Sequence, residues 1–497
     1  STQICRQWRA SMAAALDNSP FTASFGVVGL GVMGSMLALN MCEHTGEKIA
    51  GYELDAAKGA AAKAKAEAEG FGGVFEAFSD VAAFVGALKA PRRIVLLVPA
   101  GKPVDACLAS LRPLLAPGDC VMDGGNEWFE NTERRAAAYA EAGIHYLGCG
   151  VSGGAEGARR GPSLMVGGPE AAWALMKPTL EKICATGPGG APCLGYFGAG
   201  GAGNYVKMVH NGIEYGDMQL IGEAFALLTS TSVCAGDAAR TSGACAAIFD
   251  AWNGGPLKSF LVEITGGILK KLDGDGAPLV DRVLDSCGSK GTGKWTVKEA
   301  AEQGVPAGTI AAALEARYLS SLKATRGALA AAAKPAAPAP ARALAAATLE
   351  NALLCAKICS YAQGLALLAA ASESHGWAVN VPDVLACWQG GCIIRAALLV
   401  DFRAAFEASP GLENLLLAPP IAAMLEARVA DWRAVVGLAV ATGVPVPALS
   451  ASLAYYDSLR SAVLPSASMI QAQRDCFGGH TYKRRDREGT CTTDWLH

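Results

Sequence analysis

The segment 25-FGVVGLGVMG-34 joins a short apolar run to the glycine pattern G-x-G-x-x-G. The run predicts a buried strand and residues 36–42 predict a helix, so the glycines lie at a strand-to-helix turn. There Gly29 permits the tight turn, Gly31 lets a pyrophosphate approach the backbone, and Gly34 lets the helix pack on the sheet. The segment predicts a Rossmann-like, dinucleotide-binding α/β domain, with a purely structural glycine-rich turn as the alternative.

Glu53 ends the next predicted strand, about 20 residues further on, where an acidic side chain hydrogen-bonds the adenosine ribose of the dinucleotide. A carboxylate at that position repels a 2′-phosphate, which favours NAD over NADP. Lys58 would offset the repulsion if its ammonium reached the phosphate.

The first half of the chain alternates short apolar runs with alanine-rich helical segments, which predicts a parallel sheet covered by helices on both faces. The predicted strands are residues 24–30, 48–53, 93–98, 120–123, 145–150 and 163–166.

After about residue 200 the pattern becomes helical, which predicts a large all-α domain without strands. The predicted helical segments are residues 202–229, 243–272, 307–329, 344–371, 381–408, 415–442 and 446–461. The Pro/Ala-rich stretch 334–343 predicts an exposed loop, and the polar residues after 470 predict a tail. We expect four parts: an extension over residues 1–22, a dinucleotide domain over 23–200, a helical domain over 201–470 and a tail over 471–497. The extension resembles a transit-peptide remnant.

Composition excludes several classes of protein. The net charge of -3 gives no global basic field for nucleic acid. No uninterrupted apolar run of about 18 residues predicts a membrane span, and residues 435–449 come closest. The 16 cysteines form no C-x-x-C pair, so we expect neither a metal site nor a disulfide framework, and a reducing compartment such as cytosol or an organelle stroma.

Four polar residues form a stripe along the predicted helix 202–229. Lys207, His210, Asn211 and Glu214 are spaced i, i+3, i+4 and i+7, which places them on one helical face. Taken alone, the stripe fits either a solvated salt-bridge face or a site that gathers titratable groups.

Several longer strings recur in the order and spacing of a known family. They are DGGN (123–126), GVSGGAEGARRGPSLM (150–165), KMVHNGIEYGDMQL (207–220), KGTGKWT (290–296), SYAQG (360–364), WQGGCIIR (388–395) and IQAQRDCFGGHTY (470–482). From about residue 24 onward the chain resembles the decarboxylating 6-phosphogluconate dehydrogenases. The resemblance implies NADP as cofactor, no metal, and a homodimer in which each tail reaches into the partner subunit. It also implies oxidation of 6-phosphogluconate at C3, loss of C1 as CO2 and release of ribulose 5-phosphate.

The resemblance also implies roles for individual residues. Lys207 corresponds to the general base and Glu214 to the general acid, which requires a lowered lysine pKa and a raised carboxyl pKa. His210 and Asn211 complete the catalytic set. The residues expected to hold the sugar acid are Asn126, Ser152, Gly153, Gly154, His210 and Asn211. The phosphate pocket is expected from Tyr215, Lys290, Thr292 and Arg317, with Arg474 and His480 from the partner's tail. The cofactor is expected to contact Gly29, Gly31, Val32, Met33, Gly34, Glu53, Leu54, Lys58, Val98, Ala100 and Asn126.

The chain departs from the family where the cofactor's 2′-phosphate would bind. NADP-using members carry Asn-Arg-Thr where this chain has Glu53-Leu54-Asp55, and Val-Lys-Ala where it has residues 98–100, VPA. NAD is therefore plausible as cofactor. Three explanations stand: the enzyme uses NAD, it keeps NADP through Lys58 or another cation, or it is a structural subunit with weak cofactor binding. A related β-hydroxyacid dehydrogenase acting on an unphosphorylated substrate is a further alternative.

Overall fold

The computed structural model describes residues 21–230, 241–333 and 344–496. The predicted loop 334–343 and residues 1–20 of the predicted extension lie outside the described residues.

An eight-stranded sheet forms the first half of the described chain, in the order β3-β2-β1-β4-β5-β6-β7-β8. Its strands are β1 (Phe25–Val28), β2 (Ile49–Tyr52), β3 (Phe75–Phe78), β4 (Arg93–Leu96), β5 (Cys120–Asp123), β6 (His145–Ser152), β7 (Ser163–Gly167) and β8 (Leu194–Tyr196). β1 lies between β2 and β4, so the first strands are added toward one edge of the sheet and the later strands toward the other edge. The strand order therefore reverses at β1. In open α/β sheets, ligands bind at the carboxyl ends of the strands at such a switch point.

The structure corrects the predicted sheet in two respects. β7 runs antiparallel to β6, with Ser152 opposite Ser163, whereas we expected every strand to be parallel. The connection between these strands is too short for a parallel crossover, which needs about a dozen residues or more. The sequence also missed β3 and β8, which are half-buried edge strands of 4 and 3 residues and so lack a strong apolar run.

Helices cover both faces of the sheet. They are α1 (Val32–Thr45), α2 (Ala56–Ala68), α3 (Val81–Gly86), α4 (Lys102–Leu111), α5 (Phe129–Ala140), α6 (Gly154–Arg160) and α7 (Glu170–Ile183). The helix α1 begins at Val32, within the glycine pattern. Its N-cap residue is Gly31, which has no side chain to accept a hydrogen bond from the first turn. By contrast, the Asp55 carboxylate accepts a hydrogen bond from Ala57 N at 3.0 Å and caps α2.

The rest of the described chain is mainly helical. Its helices are α8 (Ala202–Thr229), α9 (Ser242–Asn253), α10 (Phe260–Lys270), α11 (Thr292–Glu302), α12 (Gly308–Ser321), α13 (Lys323–Ala332), α14 (Ala346–Ser374), α15 (Val381–Cys387), α16 (Leu398–Ala408), α17 (Pro419–Glu426), α18 (Val429–Thr442), α19 (Pro447–Leu459) and α20 (Pro465–Gly478). The bounds predicted for α8 are confirmed. Four predicted long helices are wrong as single elements, because 243–272, 307–329, 381–408 and 415–442 each contain a break.

The helix α14 is the one described helix that is long and apolar enough to cross a membrane, with a mean hydropathy of 1.5. In the sequence, residues 435–449 came closest to an apolar run long enough to span a membrane, but the structure divides them between α18 and α19. Because 89% of the apolar window of α14 is buried inside the protein, it is the central helix of a core. It packs along α8, where a Cβ on Gly364 would lie 2.6 Å from Ile213.

The predicted tail begins inside α20 and continues as a hairpin of β9 (Tyr482–Lys483) and β10 (Thr490–Cys491). The expectation that the second half holds no strand is therefore wrong for this hairpin. The Asp475 carboxylate closes it, because it accepts hydrogen bonds from Thr481 N at 3.0 Å, Thr493 N at 2.9 Å and Trp495 Nε1 at 2.8 Å. Residues 461–470 are all exposed.

Candidate active site

The helix α8 carries the polar stripe into the interior rather than into solvent. Lys207, His210 and Asn211 are 5%, 0% and 7% exposed, so the solvated-face interpretation is wrong. The Glu214 side chain is 22% exposed at the end of the stripe. Gly150 on β6 makes this burial possible, because a Cβ there would lie 2.1 Å from Lys207 Cβ.

The stripe and the end of β6 form one connected polar network. Lys207 Nζ donates a hydrogen bond to Ser152 Oγ at 2.9 Å and lies 3.2 Å from His210 Nδ1. His210 Nε2 lies 3.2 Å from Ser152 Oγ, and His210 Nδ1 lies 3.0 Å from Asn211 Oδ1. Glu214 Oε2 lies 3.9 Å from His210 Nδ1. The structure thus brings together all four residues of the predicted catalytic set, with Ser152.

Burial shifts the pKa values of these groups in the directions that acid–base chemistry requires. Loss of solvation lowers the pKa of the Lys207 ammonium, although the Glu214 carboxylate opposes this. Burial raises the pKa of Glu214 against the opposing charges of Lys207 and Arg317. Burial and the neighbouring Lys207 hold the pKa of His210 well below its usual range, so its imidazole is neutral.

A narrow crevice beside Lys207, too small to hold a water molecule, is bordered by residues from both halves of the protein. Four of the residues that border it are predicted site residues, namely Asn126, Lys207, Asn211 and Thr292. The sequence interpretation missed the other residues that line it, namely Glu127, Asn204, Met208 and Trp295. Glu127 directly follows the quoted string DGGN and Trp295 lies inside KGTGKWT, so both could have been found from those strings.

Gly153 and Gly154 turn the chain out of β6 with φ of +121° and +63°. A Cβ on Gly153 would lie 2.3 Å from Gly391 O, so the loop of the WQGGC string packs directly on this turn. A Cβ on Gly154 would meet nothing within 4 Å, so its backbone faces open space near Ser152.

A second group of predicted residues gathers beyond Glu214. The Arg317 guanidinium stacks on the Tyr215 ring, 3.4 Å from its centroid. Tyr215 Oη lies 3.1 Å from Ser289 Oγ, next to the exposed Lys290. Thr292 opens α11, whose N-terminus has no side-chain cap. Cations and free helix N–H groups at one place suit an anionic group such as a phosphate.

The structure does not bring Arg474 and His480 of the same chain into this group. Both are exposed and contact the tail itself. Arg474 Nη1 donates to Gln471 Oε1 at 3.1 Å, and the His480 ring lies 5.9 Å from the Phe477 ring.

The glycine turn fits a dinucleotide. Gly29 has a φ of +86°, and a Cβ on Gly34 would lie 1.8 Å from Gly29 O, so both positions need glycine. A Cβ on Gly31 would meet nothing within 4 Å, which leaves an open cradle at the uncapped N-terminus of α1. The flanking Val32 is 70% exposed and Met33 is half-buried.

The ribose end of the predicted cofactor site contains a contact that the sequence did not predict. The Glu53 carboxylate accepts hydrogen bonds from Leu30 N at 2.9 Å and Asp55 N at 3.3 Å, so it holds the glycine loop. Leu54 is 82% exposed. Lys58 Nζ lies 3.7 Å from Asp55 Oδ2, on the exposed side of α2.

Val98 and Ala100 follow β4 at the same edge of the sheet, and Asn126 follows β5. Val98 touches the glycine turn, since its Cγ1 lies 2.9 Å from where a Cβ on Gly29 would be. The predicted cofactor residues therefore share one edge.

Two family profiles together match nearly the whole described chain. The profile described as the NAD binding domain of 6-phosphogluconate dehydrogenase matches residues 24–198. The profile described as the 6-phosphogluconate dehydrogenase C-terminal domain matches residues 203–495.

Individual relatives agree over the same length. The decarboxylating 6-phosphogluconate dehydrogenase 1 of Oryza sativa subsp. japonica is 47% identical over 475 residues, covering 95% of this chain and 97% of that protein. The chloroplastic decarboxylating enzyme 3 of Arabidopsis thaliana is 47% identical over 481 residues, covering 95% and 96%. A solved structure of Plasmodium falciparum 6-phosphogluconate dehydrogenase superimposes on this chain with a TM-score of 0.89 at 40% identity. The match covers 95% of this chain and 100% of that one. That structure comes from a study of the enzyme in its apo form, in complex with NADP+ and in complex with 6-phosphogluconate.

Proposed function

The chain belongs to the 6-phosphogluconate dehydrogenase family, and from this membership we propose that it oxidises 6-phosphogluconate to ribulose 5-phosphate and CO2 with a nicotinamide dinucleotide. The observation that carries the proposal is the buried Lys207, held by Ser152 and His210 on the same helical face as Glu214.

Lys207 is the proposed base for the oxidation. When bound, the dinucleotide accepts the hydride that leaves C3 of the sugar acid. Lys207 Nζ takes the proton of the C3 hydroxyl, which requires the neutral amine that burial favours. Ser152 and the neutral His210 fix the position of that amine.

Loss of CO2 then needs no metal in this proposal. The C1–C2 bond breaks, its electron pair moves toward the C3 oxygen, and the proton held by Lys207 stabilises that oxygen. Glu214 afterwards gives its proton to the carbon that lost CO2, which suits a carboxyl whose pKa is raised by burial. Arg317, Tyr215, Lys290 and the N-terminus of α11 are the proposed partners of the 6-phosphate.

The test is a steady-state assay with 6-phosphogluconate that follows both dinucleotide reduction and CO2 release. Stoichiometric CO2 supports the proposal. A related β-hydroxyacid dehydrogenase would instead turn over unphosphorylated hydroxyacids without releasing CO2. A structural subunit with weak cofactor binding would show no turnover with either dinucleotide.

For the cofactor, we propose that NAD is accepted beside NADP. The exposed Leu54 supplies no cation for a 2′-phosphate, and the Glu53 carboxylate places a negative charge beside the glycine loop. Values of kcat/KM for both cofactors test this proposal. A strong preference for NADP contradicts it.

Leu54→Arg isolates the missing cation, because it leaves the Glu53–Leu30 hydrogen bond in place. We expect the NADP-to-NAD ratio of kcat/KM to rise about tenfold. Glu53→Asn combined with Leu54→Arg should raise it further. An unchanged ratio would mean that this loop does not contact the ribose.

We further propose a homodimer with exchanged tails, in the cytosol or a plastid stroma. Met469 and Ile470, just before the tail, are 61% and 56% exposed, and Phe477 and Leu496 within the tail are 75% and 77% exposed. Further apolar residues are exposed in the segments before Ser289 and after Arg317, namely Val283, Leu284, Leu319, Leu322 and Leu329. Exposed apolar surface of this kind is typical of an interface. The described cysteines are free thiols, as in reducing compartments. Light scattering after size exclusion tests the dimer.

A further inference from the structure

A second buried charge cluster lies at the carboxyl edge of the sheet, and its Glu127 borders the crevice beside Lys207. Arg135 on α5 has a side chain that is 2% exposed, and the carboxylates of Asp123 and Glu127 are 0% and 1% exposed. Burying charges is costly unless each is paired and hydrogen-bonded, so the arrangement of the partners is informative.

The Arg135 guanidinium joins three segments of the chain. Nη1 donates to Glu127 Oε2 at 2.6 Å and lies 3.5 Å from Asp123 Oδ2. Nη2 donates to Gly101 O at 3.0 Å, and Nε donates to Asp105 Oδ1 at 2.8 Å. These partners belong to the loop after β4, to α4, and to the end of β5 with its loop.

The carboxylates in turn hold the backbone of both loops. Glu127 Oε2 accepts from Gly101 N at 2.8 Å, and Asp123 Oδ1 accepts from Gly125 N at 2.9 Å. Gly101 has a φ of +83°, a backbone conformation that favours glycine, so the turn that Glu127 and Arg135 hold is a specific one. The first loop carries Val98 and Ala100 and the second carries Asn126, which are candidate cofactor residues.

We propose that Arg135 is a positioning residue for the dinucleotide, because it sets the spacing between the loops after β4 and β5. This inference rests on the proposed function, since these loops matter only if the cofactor lies on them. The planar fork of arginine reaches Gly101, Asp105 and Glu127 together. The single ammonium of lysine does not reproduce that geometry.

The experiment compares Arg135→Lys with Arg92→Lys in the full-length protein. Arg92 is the control at the opposite ends of the same two strands, where its side chain is 22% exposed and its Nη1 donates to Asp119 Oδ2 at 3.0 Å. Dissociation constants for NADP and NAD are measured by calorimetry without substrate, and unfolding temperatures are recorded for each variant.

We expect Arg135→Lys to weaken binding of both dinucleotides about tenfold, because displaced loops misplace several contacts. The KM for 6-phosphogluconate should rise as well, because Asn126, a candidate residue for the sugar acid, lies in the displaced loop after β5. Arg92→Lys should leave both dissociation constants unchanged even where it lowers the unfolding temperature.

The proposal would be overturned if Arg135→Lys bound the dinucleotides as tightly as wild type. It would also be overturned if Arg135→Lys and Arg92→Lys lost dinucleotide affinity equally. If Arg135→Lys does not fold, Glu127→Gln decides in its place, because it keeps the side-chain shape while weakening the bonds to Arg135 and Gly101. A wild-type protein that binds dinucleotide without turning over 6-phosphogluconate would refute the proposed function but still permit this comparison.

Discussion

In the proposed mechanism, Lys207 must be neutral and Glu214 protonated, which is the opposite of the states that these groups have in water. With ordinary pKa values of about 10.4 for lysine and about 4.3 for glutamate, no pH near neutrality leaves the amine neutral and the carboxyl protonated. Burial on α8 moves both pKa values toward each other. The site therefore depends on how deeply one helical face is enclosed.

Lys207→Arg tests the proposed base directly. The guanidinium keeps the positive charge but cannot release its proton near neutral pH, so we expect kcat to fall by roughly 10²–10⁴. Dinucleotide affinity, measured by calorimetry, should stay near the wild-type value. The exposed Lys182 on α7 provides the control, because Lys182→Arg should leave kcat unchanged. A Lys207→Arg variant within tenfold of wild type would argue against the assignment.

The pH dependence of kcat follows from the same pair. Activity should fall toward low pH as Lys207 becomes protonated, and toward high pH as Glu214 loses its proton. Glu214→Gln cannot ionise, so this variant should have a lower kcat and lack the decline at high pH that Glu214 causes. An alkaline limb that persists with the same midpoint in Glu214→Gln would assign that limb to another group.

At the scale of elements, the site exists because α8 lies against β6 with almost no space between them. Gly150 accommodates the stem of Lys207, and a Cβ on Gly148 would lie 1.9 Å from Asn204 Oδ1. On the other side, a Cβ on Gly212 would lie 2.4 Å from Thr296 of α11. Glycines on the elements in contact thus allow the close approach that buries the stripe.

Gly150→Ala should separate α8 from β6. A methyl group 2.1 Å from Lys207 Cβ forces backbone movement, so we expect the free energy of unfolding to drop by about 1–3 kcal/mol. We expect kcat to fall more than about tenfold because Lys207 is displaced. Gly222→Ala on the same helix points into open space and should stabilise the protein by about 0.5–1 kcal/mol. Chemical denaturation and kcat measure both effects.

The sequence predicted the elements that carry strong periodicity or a specific motif. The bounds of α8 and the shared face of the four polar residues follow from spacing, and the glycine turn follows from its context. The catalytic roles of those residues came only from the family resemblance. The direction of β7 depends on the length of a connection, and β8 is too short to show a pattern. Arg135 is one arginine of a helix with exposed charges, so only tertiary contacts reveal its burial.

At the scale of the whole molecule, the tail contains many exposed residues and is held mainly by contacts within itself. Arg474 and His480 lie on it, away from the group formed by Tyr215 and Arg317. In the proposed dimer they would complete the phosphate pocket of the other subunit, so each site would need two chains.

Mixing two impaired variants tests whether the tails are exchanged. One chain carries Lys207→Arg, and the other carries Arg474→Ala with His480→Ala. After dissociation and random reassociation, about half of the dimers are mixed, and each has one site with an intact lysine and an intact tail. We expect about a quarter of the wild-type activity to return. If each tail serves its own chain, the mixture will show no more activity than the separate variants.

Asp475 gives the tail an internal structure within a single chain, because four donors from residues 481–495 converge on its carboxylate. The tail therefore loses its conformational entropy when each monomer folds, and not when two monomers meet. In the proposed dimer, assembly would then resemble the docking of shaped bodies more than the coupled folding of a disordered arm. There a single carboxylate would influence how fast, as well as how tightly, two chains combine.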